Sequence, residues 1–220
     1  MRLLVMLAVV FLAPVLGMGQ AMAQPWRPAD GARLAFDVTR DGGALGTHVL
    51  TFSRQGDTLT VKTAVALKVA FGPITFFDYA HDVTEKYLGD KLTWVGSRTK
   101  QDGKWKTLAA EAVNGGLDVK GSAFKGMLKG TVIPSTHWNQ DEMKQPAMFS
   151  TETGKMLPMK VVDRGIEPVK AGGTTLDARR FDVTSEISAS FWYDAKGRWV
   201  KCAFVAEGSK IEYVLRNLPE

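Results

Sequence analysis

The chain has 220 residues, with 28 lysines and arginines against 23 acids, 45% hydrophobic residues and one cysteine. Its formal charge of +5 is spread rather than blocked, as in Lys100, Lys104 and Lys106 or Arg179 and Arg180. This excludes a nucleic-acid partner and leaves at most a weak attraction to an anionic membrane surface. A lone cysteine also excludes an internal disulfide, so packing and backbone pairing must hold the fold.

In chain order, the first element is a targeting segment. Met1-Arg2 is a short positive start, Leu3 to Leu16 is apolar and uncharged, and Ala21-Met22-Ala23 precedes Gln24. That arrangement predicts a cleavable secretory signal peptide over residues 1–23. The apolar run is shorter than the roughly 20 residues that span a bilayer. No cysteine lies near the cut, so a lipid anchor is not expected, and the predicted location is the bacterial periplasm. The mature chain, 24–220, is read as a single antiparallel β domain.

Strands separated by turn signals follow. "RLAFDVTR" places Leu34, Phe36 and Val38 on one face, and "DGGALG" turns the chain into "THVLTFS", where His48, Leu50 and Phe52 alternate. "TLTVKTAVALKVA" aligns Leu59, Val61, Val65, Leu67 and Val69; "FGP" breaks it before "ITFFDYAHDVTEKYL". The hairpin pattern repeats through "KLTWVGSRT", "WKTLAAEAV" and "LDVKG", and again through "KMLPMKVVD", "IEPVK", "TTLDARRFDVTSE", "SASFWYD", "RWVKCAFVAEG" and "KIEYVLR". About a dozen antiparallel strands in one meander should coil, or close into a barrel, since a flat open sheet leaves long edges. Within "RWVKCAFVAEG", Val200, Cys202, Phe204 and Ala206 share a face, which makes Cys202 a buried small apolar residue rather than a redox centre.

Residues 122–150 resist the pattern. They mix glycine, proline and methionine with Met127, Leu128, Val132, Ile133, Trp138 and Phe149, which is too apolar for disorder. The expectation is a long crossing loop packed onto or into the sheet, with at most a short helix around Gln140–Lys144.

Several stretches resemble a known group of sequences. "DGGALGTHVLTF", "ITFFDYAHDVTEKYLGDKLTWVGSRTKQDGK", "STHWN", "TETGK" and "FWYDAKGRWV" are similar to an uncharacterised family of secreted proteobacterial proteins, a domain of unknown function, over roughly residues 33–216. The resemblance implies a coiled-sheet or half-barrel fold, distantly like periplasmic lipoprotein carriers and envelope-integrity factors. Some of that wider set hold lipid-like ligands on the concave side of the sheet. It implies no activity.

Motifs for common chemistries are absent from the sequence: no G-x-S-x-G, H-E-x-x-H, C-x-x-C, phosphate loop or dinucleotide fingerprint. The richest constellation lies on one strand, where Tyr79, His81, Glu85 and Tyr87 share a face. His81 and Glu85 are four strand residues, roughly 13 Å, apart and cannot share one metal. If "GD" at 89–90 is a tight turn, paired residue numbers sum to 179, which sets Arg98 against His81 and a diagonal step or two from Glu85. Arg98 is therefore the expected ion-pair partner of Glu85. His81 meeting His48 or His137 would make a metal-assisted enzyme, the third of three readings.

In "PSTHWNQDE" a Ser135–His137–Asp141 triad is too compressed to assemble. Trp138 is instead expected to plug the concave side, burying about 200 Å², with Asn139 capping a helical turn that begins at Gln140 and Glu142 three residues on. The candidate pocket is Tyr79, His81, Glu85, Arg98, His137, Trp138 and Asn139, with no catalytic residue, metal or cofactor assigned. The leading expectation is a non-enzymatic envelope protein with a lipid-like or other apolar ligand. The alternative is a scaffold with protein or membrane partners and no small ligand.

Overall fold

The period-two alternation of apolar residues is realised almost everywhere that it occurs. In the computed structural model, which describes residues 25–71 and 74–219, fifteen strands are formed. The expected signal peptide and the Gly72-Pro73 break lie outside the described residues. The strands are β1 (Arg33–Arg40), β2 (Gly43–Gln55), β3 (Thr58–Phe71), β4 (Ile74–Leu88), β5 (Lys91–Gln101), β6 (Lys104–Val113), β7 (Gly116–Gly121) and β8 (Lys125–Leu128). Then come β9 (Ala147–Phe149), β10 (Met156–Pro158), β11 (Lys160–Ala171), β12 (Thr174–Thr184), β13 (Ala189–Asp194), β14 (Trp199–Ala206) and β15 (Ser209–Leu215). Asp41-Gly42, Asp102-Gly103 and Glu207-Gly208 all turn with positive φ at both positions, the hairpin geometry whose twist matches that of the flanking strands.

Thirteen strands form one antiparallel sheet in the order β11-β12-β13-β14-β15-β1-β2-β3-β4-β5-β6-β7-β8. Neighbours are consecutive in sequence except β15 and β1, whose pairing (Phe36 opposite Leu215, Arg40 opposite Ile211) welds the two ends of the chain together. The sheet curls without closing. Bulges at Val38/Thr39, Val69/Ala70, Lys86/Tyr87, Asp163/Gly165 and Trp192/Tyr193 each add local twist and help the curl. The Asp163/Gly165 bulge also explains why "VVD" and "IEPVK" belong to one continuous β11 rather than two strands.

This topology makes the crossing segment obligatory. The edge strands β8 and β11 are the two ends of the sheet, yet they are joined directly by residues 129–159, which must therefore traverse the concavity. The segment is more ordered than expected from its sequence: it follows β8, already paired with β7, and carries β9, paired with β10. It also has one 3-10 turn over Gln140–Lys144.

Its apolar side chains occupy the inside of the curl. Trp138 and Met143 join Phe52, Tyr87, Phe191 and Trp199 in the largest core cluster, and Phe149 and Val132 join Val83, Val95, Leu108 and Val119 in a second. The segment approaches β7 to backbone distance: a Cβ on Gly121 would sit 2.2 Å from the Thr153 carbonyl oxygen. Gly154, at φ 81°, leaves no room for a Cβ against Val119. The Thr153-Gly154 pair is thus explained by packing. A third cluster of Val38, Leu45, Val65, Leu67 and Ile211 is built by strands alone.

Candidate functional site

The inner face of β4 organises the interior. Alternation turns His81, Val83, Glu85 and Tyr87 inward, and all four are buried. Glu85 is fully buried. Its Oε1 accepts from the Thr136 hydroxyl (2.6 Å), and its Oε2 accepts from Trp138 Nε1 (3.2 Å) and from the Tyr87 hydroxyl. One carboxyl thereby ties two residues of the crossing segment to the sheet. Burial pushes its pKa up to about 7 against the pull of those hydrogen bonds, and the Glu142 carboxylate adds to the rise.

The expected Glu85–Arg98 pair is not formed, for a specific reason. Leu88 pairs with Lys91 and Tyr87 with Leu92, as a two-residue turn requires, but a bulge then inserts one residue and Lys86 pairs with Trp94. His81 consequently faces Thr99, and Arg98 faces Asp82 on the outer surface. There the Arg98 guanidinium lies 4.7 Å from the ring centroid of Trp105. A one-residue slip sends a side chain to the opposite face.

His81 is fixed by two hydroxyls, Thr99 Oγ1 (2.7 Å) and Thr151 Oγ1 (3.1 Å), and burial holds its pKa below the ordinary imidazole range. Tyr79 donates to Glu152 Oε1 (2.6 Å), whose other oxygen accepts from Lys106 Nζ (2.9 Å). Burial raises the Glu152 pKa, but those two donors outweigh it and hold the carboxyl below its usual range. Tyr79 and His81 thus belong to one cluster, anchored on the Ser150–Gly154 turn of the crossing segment.

His137 lies elsewhere. It sits at φ 63°, its carbonyl oxygen accepts from the Tyr193 hydroxyl (2.9 Å), and its Nδ1 lies 3.0 Å from Glu142 Oε2. Its ring and that of His48 both pack on Trp199, at 5.4 and 5.2 Å between centroids. Burial drives the His48 pKa down to about 3, and His48 Nε2 has no hydrogen-bond partner among the described residues. Among the described residues no three His, Cys, Asp or Glu side chains are grouped to hold a metal ion. Burial also raises the Cys202 thiol well above its ordinary value, away from the reactive thiolate.

The "PSTHWNQDE" loop behaves as architecture. Ser135 Oγ accepts from Thr151 N (3.3 Å), His137 faces Glu142, and Asp141 pairs with Lys144 at 2.7 Å, so no triad forms. Asn139 caps the 3-10 turn, accepting from Asp141 N at 3.0 Å. Glu142 does not return to the cap; its Oε2 faces His137 Nδ1. Trp138 is buried edge-on against Phe52 and Tyr87, each 5.6 Å away between centroids.

On the outer side of this plug lies a cleft of about 500 Å³, bounded by Trp26, Leu59, Tyr87, Leu92, Ile133 and Trp138 with Asn139 at its edge. Of the sequence candidates it brings together Trp138 and Asn139, with Glu85 directly behind them. Tyr79, His81 and His137 lie in other parts of the interior, and Arg98 lies outside. The sequence pointed to Glu142 only as a partner of the cap and not of His137, and did not single out Thr136 or Glu152, nor Trp26 and Arg54, which line the cleft. The cue for Trp26 was a tryptophan only three residues past the expected cleavage point.

Residues 36–216 match the model of a domain of unknown function, DUF6134. The chain belongs to the DUF6134 family. The match runs from within β1 to the end of β15 and includes the whole crossing segment. No curated protein matches the chain. Among solved structures, this DUF6134 chain is similar to a beta-barrel-like protein of domain of unknown function DUF1849 from Brucella abortus. The two share 16% identity with a TM-score of 0.61, over 90% of this chain and 98% of that chain. At that identity the likeness establishes the curled all-β fold and nothing about activity.

Proposed function

We propose that this DUF6134 protein is exported to the periplasm and acts there as a non-enzymatic envelope protein that binds an apolar ligand. The ligand site is the cleft beside Trp138, not the centre of the curl. The observation that carries this reading is a concave space of about 500 Å³ walled by Trp26, Leu59, Tyr87, Leu92, Ile133 and Trp138. Its volume lies within the roughly 300–1,000 Å³ of small-molecule pockets. Export rests on the signal-peptide pattern of residues 1–23.

A second reading, a scaffold without a small ligand, is favoured by a different observation. The middle of the curl is filled by the chain's own Trp138, Phe149 and Trp199. Native mass spectrometry of protein purified gently from the periplasmic fraction, with organic extraction, separates the two. A stoichiometric apolar adduct that is lost when a bulky residue blocks the cleft supports binding. A bare mass with reproducible protein partners supports the scaffold, and recovery in the cytoplasmic fraction would end both.

A further inference from the structure

The cleft is not electrically neutral once its internal pairings are removed. Its charged boundary residues are Arg27, Arg54, Lys91, Asp90 and Asp141. Both acids already have a cation: Asp90 is 2.9 Å from Arg27, and Asp141 is 2.7 Å from Lys144. Arg54 and Lys91 have no ion pair among the described residues. Arg54 Nε donates to the Pro28 carbonyl (3.0 Å), which steadies the guanidinium while leaving its terminal nitrogens unspent. The nearby Asp30 carboxylate accepts the Arg54 backbone N–H instead (2.8 Å).

We infer that the cleft takes a single-chain amphiphile with an anionic head. This rests on the cleft being the ligand site. The head lies between Arg54 and Lys91, and the chain lies against Trp26, Tyr87 and Trp138. A guanidinium fork matches a carboxylate or phosphate with two parallel hydrogen bonds, and a lysine adds a mobile point charge. The aromatic walls favour an extended hydrocarbon over a polar solute. Size sets the number of chains. At about 30 Å³ per water-sized group, a cleft of about 500 Å³ is on the order of one long alkyl chain with its head.

The test uses the delipidated mature chain and three probes that share a hexadecyl chain: palmitate, hexadecanol and hexadecyltrimethylammonium. Each is titrated below its micellar or solubility limit and followed by tryptophan fluorescence. Palmitate should bind about tenfold or more tightly than the alcohol and should weaken as salt screens the head. The double variant Arg54→Gln/Lys91→Gln should lose that preference, so that palmitate binds no more tightly than the alcohol, while keeping its affinity for hexadecanol. Both residues are exposed, and an unchanged melting temperature would show that the fold is intact. Equal affinity for all three heads, or a preference that survives the double variant, would overturn the anionic head and leave the cleft reading standing. Binding of none of them, with the same fluorescence at saturation, would overturn both.

Discussion

Glu85→Gln tests the interior most sharply, because the substitution changes charge while keeping shape. A glutamine carbonyl oxygen in place of Oε2 still accepts from Tyr87 and Trp138, and its amide can donate to the Thr136 hydroxyl oxygen. The Glu85 pKa rises from an ordinary 4.5 to about 7 in the folded protein. Below pH 4.5 both the folded and the unfolded chain hold the proton. Between pH 4.5 and 7 the unfolded chain releases it while the folded one retains it, so the native state loses stability as pH rises. The loss amounts to about 3 kcal/mol by pH 8. Urea unfolding followed by tryptophan fluorescence, at half-unit steps from pH 4.5 to 8, gives both curves. The variant should match the wild type near pH 4.5 and exceed it by up to about 3 kcal/mol at pH 8. A variant less stable than wild type by more than about 1 kcal/mol at pH 8 would refute the reasoning, since the ionised carboxylate would then be a net stabiliser.

His48 works in the opposite direction. With a folded pKa near 3 against an ordinary 6.5, its contribution is complete above pH 6.5 and is lost as pH falls toward 3, by at most about 5 kcal/mol. His48→Phe, placed among Phe36, Trp199 and Tyr213, should flatten that loss; acid unfolding that parallels the wild type would show that the ring is solvated. Trp138→Ala should cost about 3–5 kcal/mol in urea titrations, as for other truncated core aromatics, and a change within about 0.5 kcal/mol would mean that the plug is not seated. Cys202, 4% exposed with its thiol pKa raised, should react with a thiol reagent only as fast as the protein unfolds. Immediate labelling of the folded chain would contradict that burial.

Much of the fold was legible because the sheet's physics is local. Alternation in "RLAFDVTR" and "ITFFDYAHDVTEKYL" names the inner face of β1 and β4 residue by residue, and Asp-Gly turns mark where strands reverse. Asn139 as the cap and Gln140–Lys144 as the helical turn were also readable, since a cap acts within three residues. The Glu85–Arg98 pair failed at the first non-local step. The turn at Gly89-Asp90 was read correctly, but a bulge two residue pairs beyond it has no sequence signature, and a single inserted residue moved Arg98 to the outer face.

The amino-acid sequence alone determined the class of this protein: an antiparallel meander, its inward faces, the apolar crossing segment and the reliance on packing without disulfides. Only the tertiary structure decided which groups meet. The welding of β15 to β1 makes β8 and β11 the two edges, and that forces the chain across the concavity. The crossing drives Trp138 and Thr136 onto Glu85, fills the centre of the curl and leaves the remaining space at its side, beneath Trp26 and Arg54. Those contacts join residues far apart in the chain, where local alternation and turn chemistry exert no control. They follow from the curling of the whole sheet around its own connecting segment.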